Sequence, residues 1–281
     1  MATTRTVVEI IEPIYVMEGA GVRLRRTIAT SRLDYLDPFL LFDHFGSDDP
    51  ADYLAGFPMH PHRGIETVTY MLTGTVNHKD SLGNKGTIGE CDVQWMTSGS
   101  GILHEEMPQE PAEGKLEGFQ LWVNLPAKLK MTNPRYQEVK SSEIPEIKLE
   151  GGAMVKIIAG EVNGVKGPVT KIFADPEYLD VSILEGGSFE HSVQKDHTVF
   201  AYVFEGQGVF DKKGKVVSAT NLAIFDEGDL VKVQAKKSVR FLLVSGKPLN
   251  EPIARYGPFV MNTAEEIEQA LKDLRNGTFV K

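Results

Sequence analysis

The chain has a single cysteine, Cys91, in 281 residues, which excludes any intramolecular disulfide framework. It also lacks an apolar run near the roughly 20 residues that a membrane-crossing helix needs. Its start, MATTRTVVEI, has no apolar core of a secretory signal. Together these absences lead to the expectation of a cytoplasmic protein without membrane contact, with nuclear entry open to a eukaryotic one. Positive charge is scarce as well. Thirty Lys and Arg against 39 Asp and Glu give a net charge of -9, and direct nucleic-acid binding, which draws its affinity from cations neutralising phosphates, is not expected. No Ser-His-Asp order, Walker A loop or dinucleotide-binding glycine fingerprint stands out. Gly99 and Gly101 form G-x-G, but the residues that follow lead to His104 instead of a helix.

What is present is ordinary globular material, 41% hydrophobic and 25% charged, enough for a sizeable core. The length is about twice the usual domain of roughly 100 to 150 residues and favours two domains. Twenty-seven glycines and fifteen prolines are spread at short intervals, as tight turns between short strands require, so the expected class is all-β. Alternating or β-branched runs of strand length occur at Arg5 to Ile11, Val22 to Ile28, Thr67 to Leu72, Thr87 to Trp95 and Gly118 to Leu125. SSEIPEIKLEGG interrupts them and reads as a linker over 141–152, separating domains 1–140 and 153–281. Beyond it the texture returns at Ala153 to Ala159, Thr170 to Phe173, Tyr178 to Leu184, Thr198 to Phe204, Gly208 to Phe210, Leu230 to Gln234 and Val239 to Val244. YMLTGTV and YVFEGQGVF each give a strand, a glycine turn and a return strand, so two copies of one barrel are expected. Thr263 and Glu266 form a capping box ahead of Ile267, Ala270, Leu271 and Leu274 on one face, predicting a helix over 264–275 that Gly277 stops.

The chemistry concentrates in two segments. GFPMHPHRGIE carries His60 and His62 two apart at the entrance of a strand, where period-two geometry sends both imidazoles to one face. SGSGILHEEMP supplies His104 with Glu105 and Glu106, and the same parity sets Glu106 beside His104 while Glu105 points away. Glu66, four residues beyond His62 and of equal parity, is the rival carboxylate. One such histidine is ordinarily a structural residue, but three with an acid in two glycine-flanked motifs are hard to explain by packing, since buried imidazoles need partners. His44, His78, His191 and His197 receive the structural reading, as surface or packing residues.

The first segment resembles the G-x(3 to 5)-H-x-H-x(3,4)-E-x(6,7)-G signature of cupins, through Gly56, His60, His62, Glu66 and Gly74, and Gly101-x-x-His104 matches the histidine half of the second cupin motif. DPFLLFDHFG, FPMHPHRGIETVTY, QWMTSGSGILHEEMP, LEGFQLWVNLP and EPIARYGPFVMNT resemble the pirin family over nearly the whole chain. That resemblance implies a bicupin of two jelly-roll β-barrels in tandem with iron in the first alone. It also implies a fourth ligand two residues after the second-motif histidine, here Glu106, with Glu66 kept as the general cupin alternative. Ligand type leaves zinc, manganese, nickel and copper open beside Fe(II).

Two functions follow from the resemblance. The first is quercetin 2,3-dioxygenase-type oxidoreductase activity on an aromatic flavonol with dioxygen, releasing carbon monoxide, in which Glu106 takes a substrate proton. Phe57, Pro58, Met59, Met71, Met96 and Gln120 are candidates for the pocket wall. The second is non-enzymatic regulation through a protein partner, with the metal shaping the contact surface.

Overall fold

A computed structural model describes residues 2–109 and 114–280. They form two compact units, neither contiguous in sequence. One comprises Tyr15–Ala29, Phe39–Ser141 and Leu249–Lys281, and is called here the triad unit because it holds His60, His62 and His104. The companion unit comprises Met1–Ile14, Thr30–Pro38 and Ser142–Pro248. Cuts at 140 and 153 therefore differ from the observed division: the amino-terminal stretch belongs with the companion barrel, and the carboxyl-terminal helix belongs with the triad unit. Long-range pairing, invisible in local pattern, assigns both ends.

The chain opens with β1 (Val7–Ile11), β2 (Ile14–Glu18), β3 (Val22–Ile28) and β4 (Phe39–Ser47). Next come β5 (Phe57–His62), β6 (Ile65–Thr73), β7 (Val76–Asp80) and β8 (Lys85–Ile88), then β9 (Val93–Thr97), β10 (Ile102–Pro108), β11 (Leu116–Asn124) and β12 (Arg135–Val139). In the triad unit, β12-β9-β6-β11-β4-β3-β2 make a seven-stranded antiparallel sheet and β5-β10-β7-β8 a four-stranded one. Val22, Leu24, Phe45, Met71, Val76 and Leu116, drawn from both sheets, pack into one apolar cluster. Interdigitation of this kind between two inner faces is what closes a β-sandwich or barrel. The run expected at Thr87 to Trp95 is in fact two strands, because Cys91 takes a left-handed turn (φ 58°) between β8 and β9.

The companion unit contains β1 and continues with β13 (Glu146–Lys148), β14 (Met154–Ala159), β15 (Glu161–Val162), β16 (Val165–Lys166), β17 (Glu177–Ile183) and β18 (Ser188–Ser192). It ends with β19 (Thr198–Val209), β20 (Val216–Ser218), β21 (Leu222–Phe225), β22 (Leu230–Gln234) and β23 (Val239–Gly246). The stretch expected to be a linker carries β13, which pairs with β14. Thr170 to Phe173 is no strand, and Lys171 there has φ 56°. The two runs expected at Thr198 to Phe204 and Gly208 to Phe210 are one strand bent by a bulge near Glu205.

The interior of this barrel is filled by apolar side chains, Phe189, Phe210 and Phe241 among them in edge-to-face contact. Arg5, 2% exposed, donates to the carbonyls of Gly228, Asp226, Gln194, Lys195 and His197, tying the amino-terminal segment down. His191 lies 3.2 Å from Glu177, and His197 is likewise buried.

After β23 the chain returns to the triad unit as β24 (Ala254–Tyr256), β25 (Phe259–Met261) and α1 (Ala264–Asn276). Thr263 and Glu266 form the expected capping box, and Gly277 (φ 69°) ends the helix. Ile267 and Ala270 pack with Phe259, Met261 and Phe279. No helix among the described residues is long and apolar enough to cross a membrane.

Candidate metal centre

β5 is the edge strand of the four-stranded sheet, where its two prolines cost no essential ladder bond. It pairs antiparallel with β10, setting His104 opposite His60 and Ile102 opposite His62. Three residues of β5 then face two of β10, since Phe57 pairs with Glu106, which is a bulge at Pro58 and Met59. The Pro58 carbonyl meets the His60 ring there, with Nδ1 at 2.9 Å. Donation from Nδ1 leaves the Nε2 lone pair of His60 aimed inward, the arrangement by which proteins orient an imidazole ligand. His60 Nε2 lies 3.0 Å from His62 Nε2, and one nitrogen from each of His60, His62 and His104 falls within a 4.8 Å cluster. Three imidazoles two apart on one strand and opposite on the next thus converge as strand parity predicts.

Burial, then the neighbouring rings of His104 and His60, holds His62 neutral well below the usual histidine range. Burial, then His60 and His78, does the same to His104. Both nitrogens of His104 are buried without a hydrogen-bond partner. Neutral, clustered and unsatisfied imidazole nitrogens fit a divalent metal, whose ligation offsets the cost of burying them.

The carboxylates separate cleanly. Glu105 turns outward to Lys79 at 2.9 Å. Glu106 turns inward, 8% exposed, and stands on the cavity wall beside the three histidines but outside their cluster of nitrogens. Its Oε1 lies 3.0 Å from the Thr69 hydroxyl. Glu66 does not share the face of His62, as counting along the chain suggested. Gly64, at φ 82° and with its Cα so close to the Val260 carbonyl that a Cβ would lie 2.0 Å from that oxygen, breaks the extended run between β5 and β6. Within β6 the register is regular, so Glu66 and Thr69 lie on opposite faces; Thr69 lines the cavity, and Glu66 accepts from Thr97 at 2.7 Å.

The cavity holds about 640 Å³ and lies between the two sheets of the triad unit. Phe57, Pro58 and Gln120 line it with His60, His62 and Glu106. Met59, Met71 and Met96 do not. Met59 is 44% exposed on the bulge, Met71 is buried in the apolar cluster behind the wall, and Met96 is buried on β9 outside the lining. The wall also contains polar groups that sequence reading missed, because they come from strands far apart in the chain and no local pattern marks the face they share. Arg26 forks onto both oxygens of Asp43 at 2.8 and 2.7 Å and reaches Glu18 at 2.7 Å. Burial pushes the Asp43 carboxyl up to about 6 against that pull. Trp122 meets the His62 ring edge-on at 5.1 Å and carries the Arg255 guanidinium 5.2 Å over its own ring. Arg255 comes from the distant carboxyl-terminal segment, and the only sequence signal for it was its place in EPIARYGPFVMNT.

Comparison with known proteins matches residues 21–123 to the Pirin family and 178–280 to the Pirin C-terminal cupin domain. A pirin-like protein of Caulobacter vibrioides is 44% identical, over 98% of this chain and 99% of its own. The crystal structure of a quercetin 2,3-dioxygenase from Acinetobacter baumannii superposes with a TM-score of 0.90 at 38% identity, covering 99% of each chain. A bacterial pirin of Escherichia coli, solved in complex with nickel(II), shares the fold at 22% identity and TM-score 0.67, covering 85% of this chain and 99% of that one.

Proposed function

The chain belongs to the pirin family, and on that premise we propose that it is an iron(II)-dependent dioxygenase. On this reading His60, His62, His104 and Glu106 hold the metal, and flavonols of the quercetin type are opened with dioxygen and loss of carbon monoxide. The observation that carries the reading is the convergence of three imidazole nitrogens at a cavity whose wall includes His60, His62 and Glu106. Three imidazoles and a carboxylate leave open positions on a metal that prefers six ligands. Iron there supplies Lewis acidity toward a flavonol oxygen and a meeting point for dioxygen.

The chain's own residues do the rest. The volume lies inside the roughly 300 to 1,000 Å³ of small-molecule sites. Leu41, Phe45, Phe57 and Trp122 present apolar and aromatic surface that suits a planar ring and excludes water. Glu106 accepts the proton of the flavonol hydroxyl at the remaining lone pair of the carboxylate oxygen that does not hold the metal. Arg26 and Asp43, locked to each other, offer oriented hydrogen bonds to further ring hydroxyls.

The test is elemental analysis of the purified protein together with aerobic incubation with quercetin. About one iron per chain and loss of flavonol absorbance matched by carbon monoxide are expected. A fully metal-loaded protein that releases none would overturn the dioxygenase reading and favour regulation through a protein partner.

A further inference from the structure

Thr69 sits in the middle of β6, where a β-branched residue would be expected for strand propensity alone. Propensity does not explain the hydroxyl. The residue is 3% exposed, and a buried hydroxyl without partners is costlier there than the methyl of valine. Its partners are two side chains from two other strands. Glu106 Oε1 of β10 lies 3.0 Å away and Gln120 Oε1 of β11 lies 2.7 Å away, two acceptor oxygens for one hydroxyl. Gln120 is the direct cross-strand neighbour of Thr69 in the seven-stranded sheet, whereas Glu106 belongs to the opposing four-stranded sheet. The hydroxyl therefore bridges the sheets beside the histidine cluster.

A hydroxyl carries one proton. An ionised carboxylate only accepts, so the proton of Thr69 goes to Glu106, and the hydroxyl oxygen must in turn accept from Gln120. Two acceptors cannot share one proton, so both contacts are satisfied only with the Gln120 amide flipped to exchange Oε1 for its NH2 at the 2.7 Å position, an exchange of near-isosteric groups that the hydrogen bonds decide. We propose that Thr69, oriented by Gln120, is a positioning residue that occupies one oxygen of Glu106 and presents the other to the metal. The proposal rests on the reading of Glu106 as a ligand and extends it. Glu106 stands outside the cluster of imidazole nitrogens, and the bond from Thr69 fixes which oxygen is offered and along which direction. Hydrogen bonds of this kind to ligating carboxylates tune affinity by roughly 10- to 100-fold.

The experiment uses the whole chain, stripped of metal and titrated with Co(II), reading the dissociation constant by calorimetry and the visible d–d bands that report carboxylate ligation. Thr69→Val is expected to weaken Co(II) binding about 10-fold and shift the bands. Thr69→Ser, which keeps the hydroxyl, should stay within about twofold of the unaltered protein. Circular dichroism melting of the metal-free variants checks that each is folded. Thr69→Val binding as tightly as the unaltered chain, while Glu106→Gln binds far more weakly, overturns the positioning role and leaves the ligand assignment standing. Thr69→Ser as weak as Thr69→Val overturns it too, because the γ-methyl and not the hydroxyl would then matter. Glu106→Gln without effect removes the ligand reading itself and the proposal with it.

Discussion

Glu105 and Glu106 are adjacent in sequence and opposite in direction, one paired with Lys79 on the outside and one on the cavity wall. Replacing each in turn should separate them. Glu106→Gln is expected to lower metal retention at least 10-fold, whereas Glu105→Gln and Glu66→Gln should hold metal near the level of the unaltered chain, as measured by elemental analysis after dialysis. Equal losses at Glu66 and Glu106 would reject the assignment. A second residue-scale test lies away from the site, at the ring of His44, which sits 3.0 Å from Glu117. Burial lowers the pKa of His44 and keeps its ring neutral, and the bond it donates, helped by Lys115, holds the Glu117 carboxyl down from 4.5 to about 2. Since the folded value is the lower, this stabilisation is fully present above pH 4.5 and is lost as the pH falls toward 2. Discounted for the partial exposure of Glu117, it is worth about 2 kcal/mol. The stability gap between the unaltered chain and Glu117→Gln, from urea titrations, should therefore close between pH 5 and 2. A gap that stays constant over that window would refute the linkage.

Elements were legible where their signals are local. The cap, apolar stripe and glycine stop of α1 all lie within 15 residues, and the helix forms as those signals indicate. Thr263→Ala should cost about 1 kcal/mol, read as a lowered melting temperature. Strand ends were harder, because the turns between β8 and β9 and within β19 depend on left-handed residues and bulges that alternation does not reveal. The bulge in β5 matters most, for it turns the Pro58 carbonyl toward His60. The corner after β11 is pinned by Lys130, 1% exposed, whose Nζ donates to Gly64 O, Asn124 Oδ1 and Val260 O at 3.0, 2.6 and 2.8 Å. Lys130→Met leaves three acceptors unsatisfied and should destabilise the triad unit by about 3 kcal/mol in chemical denaturation. A loss under about 1 kcal/mol would show that water replaces the ammonium.

At the scale of the whole molecule, the triad unit is completed by the tail. Arg63, next to His62, donates to Asp273 at 2.7 Å and to the Phe279 carbonyl at 3.2 Å, and lies over the Phe279 ring. Gly101, at φ 139°, lets the Phe279 carbonyl approach so closely that a Cβ would lie 2.7 Å from it. A fragment ending at residue 140 lacks these partners, and its first strand belongs to the other barrel. Expressed alone, it should show no cooperative melting transition; a sharp one would contradict the division. The intact chain is expected to bind about one metal by calorimetry, and His62→Ala none, since the companion interior is filled by Phe189, Phe210 and Phe241.

The sequence by itself determined the β class, the helix and the three histidines, because period-two alternation, capping and the H-x-H spacing are properties of a few neighbouring residues. Only the tertiary structure decided which ends close which barrel, that Glu66 faces away from the cavity, and that Arg26, Asp43, Thr69, Trp122 and Arg255 share a wall with His60 and His62. Those relations run between strands tens to hundreds of residues apart, and pairing register, which no local pattern encodes, sets them.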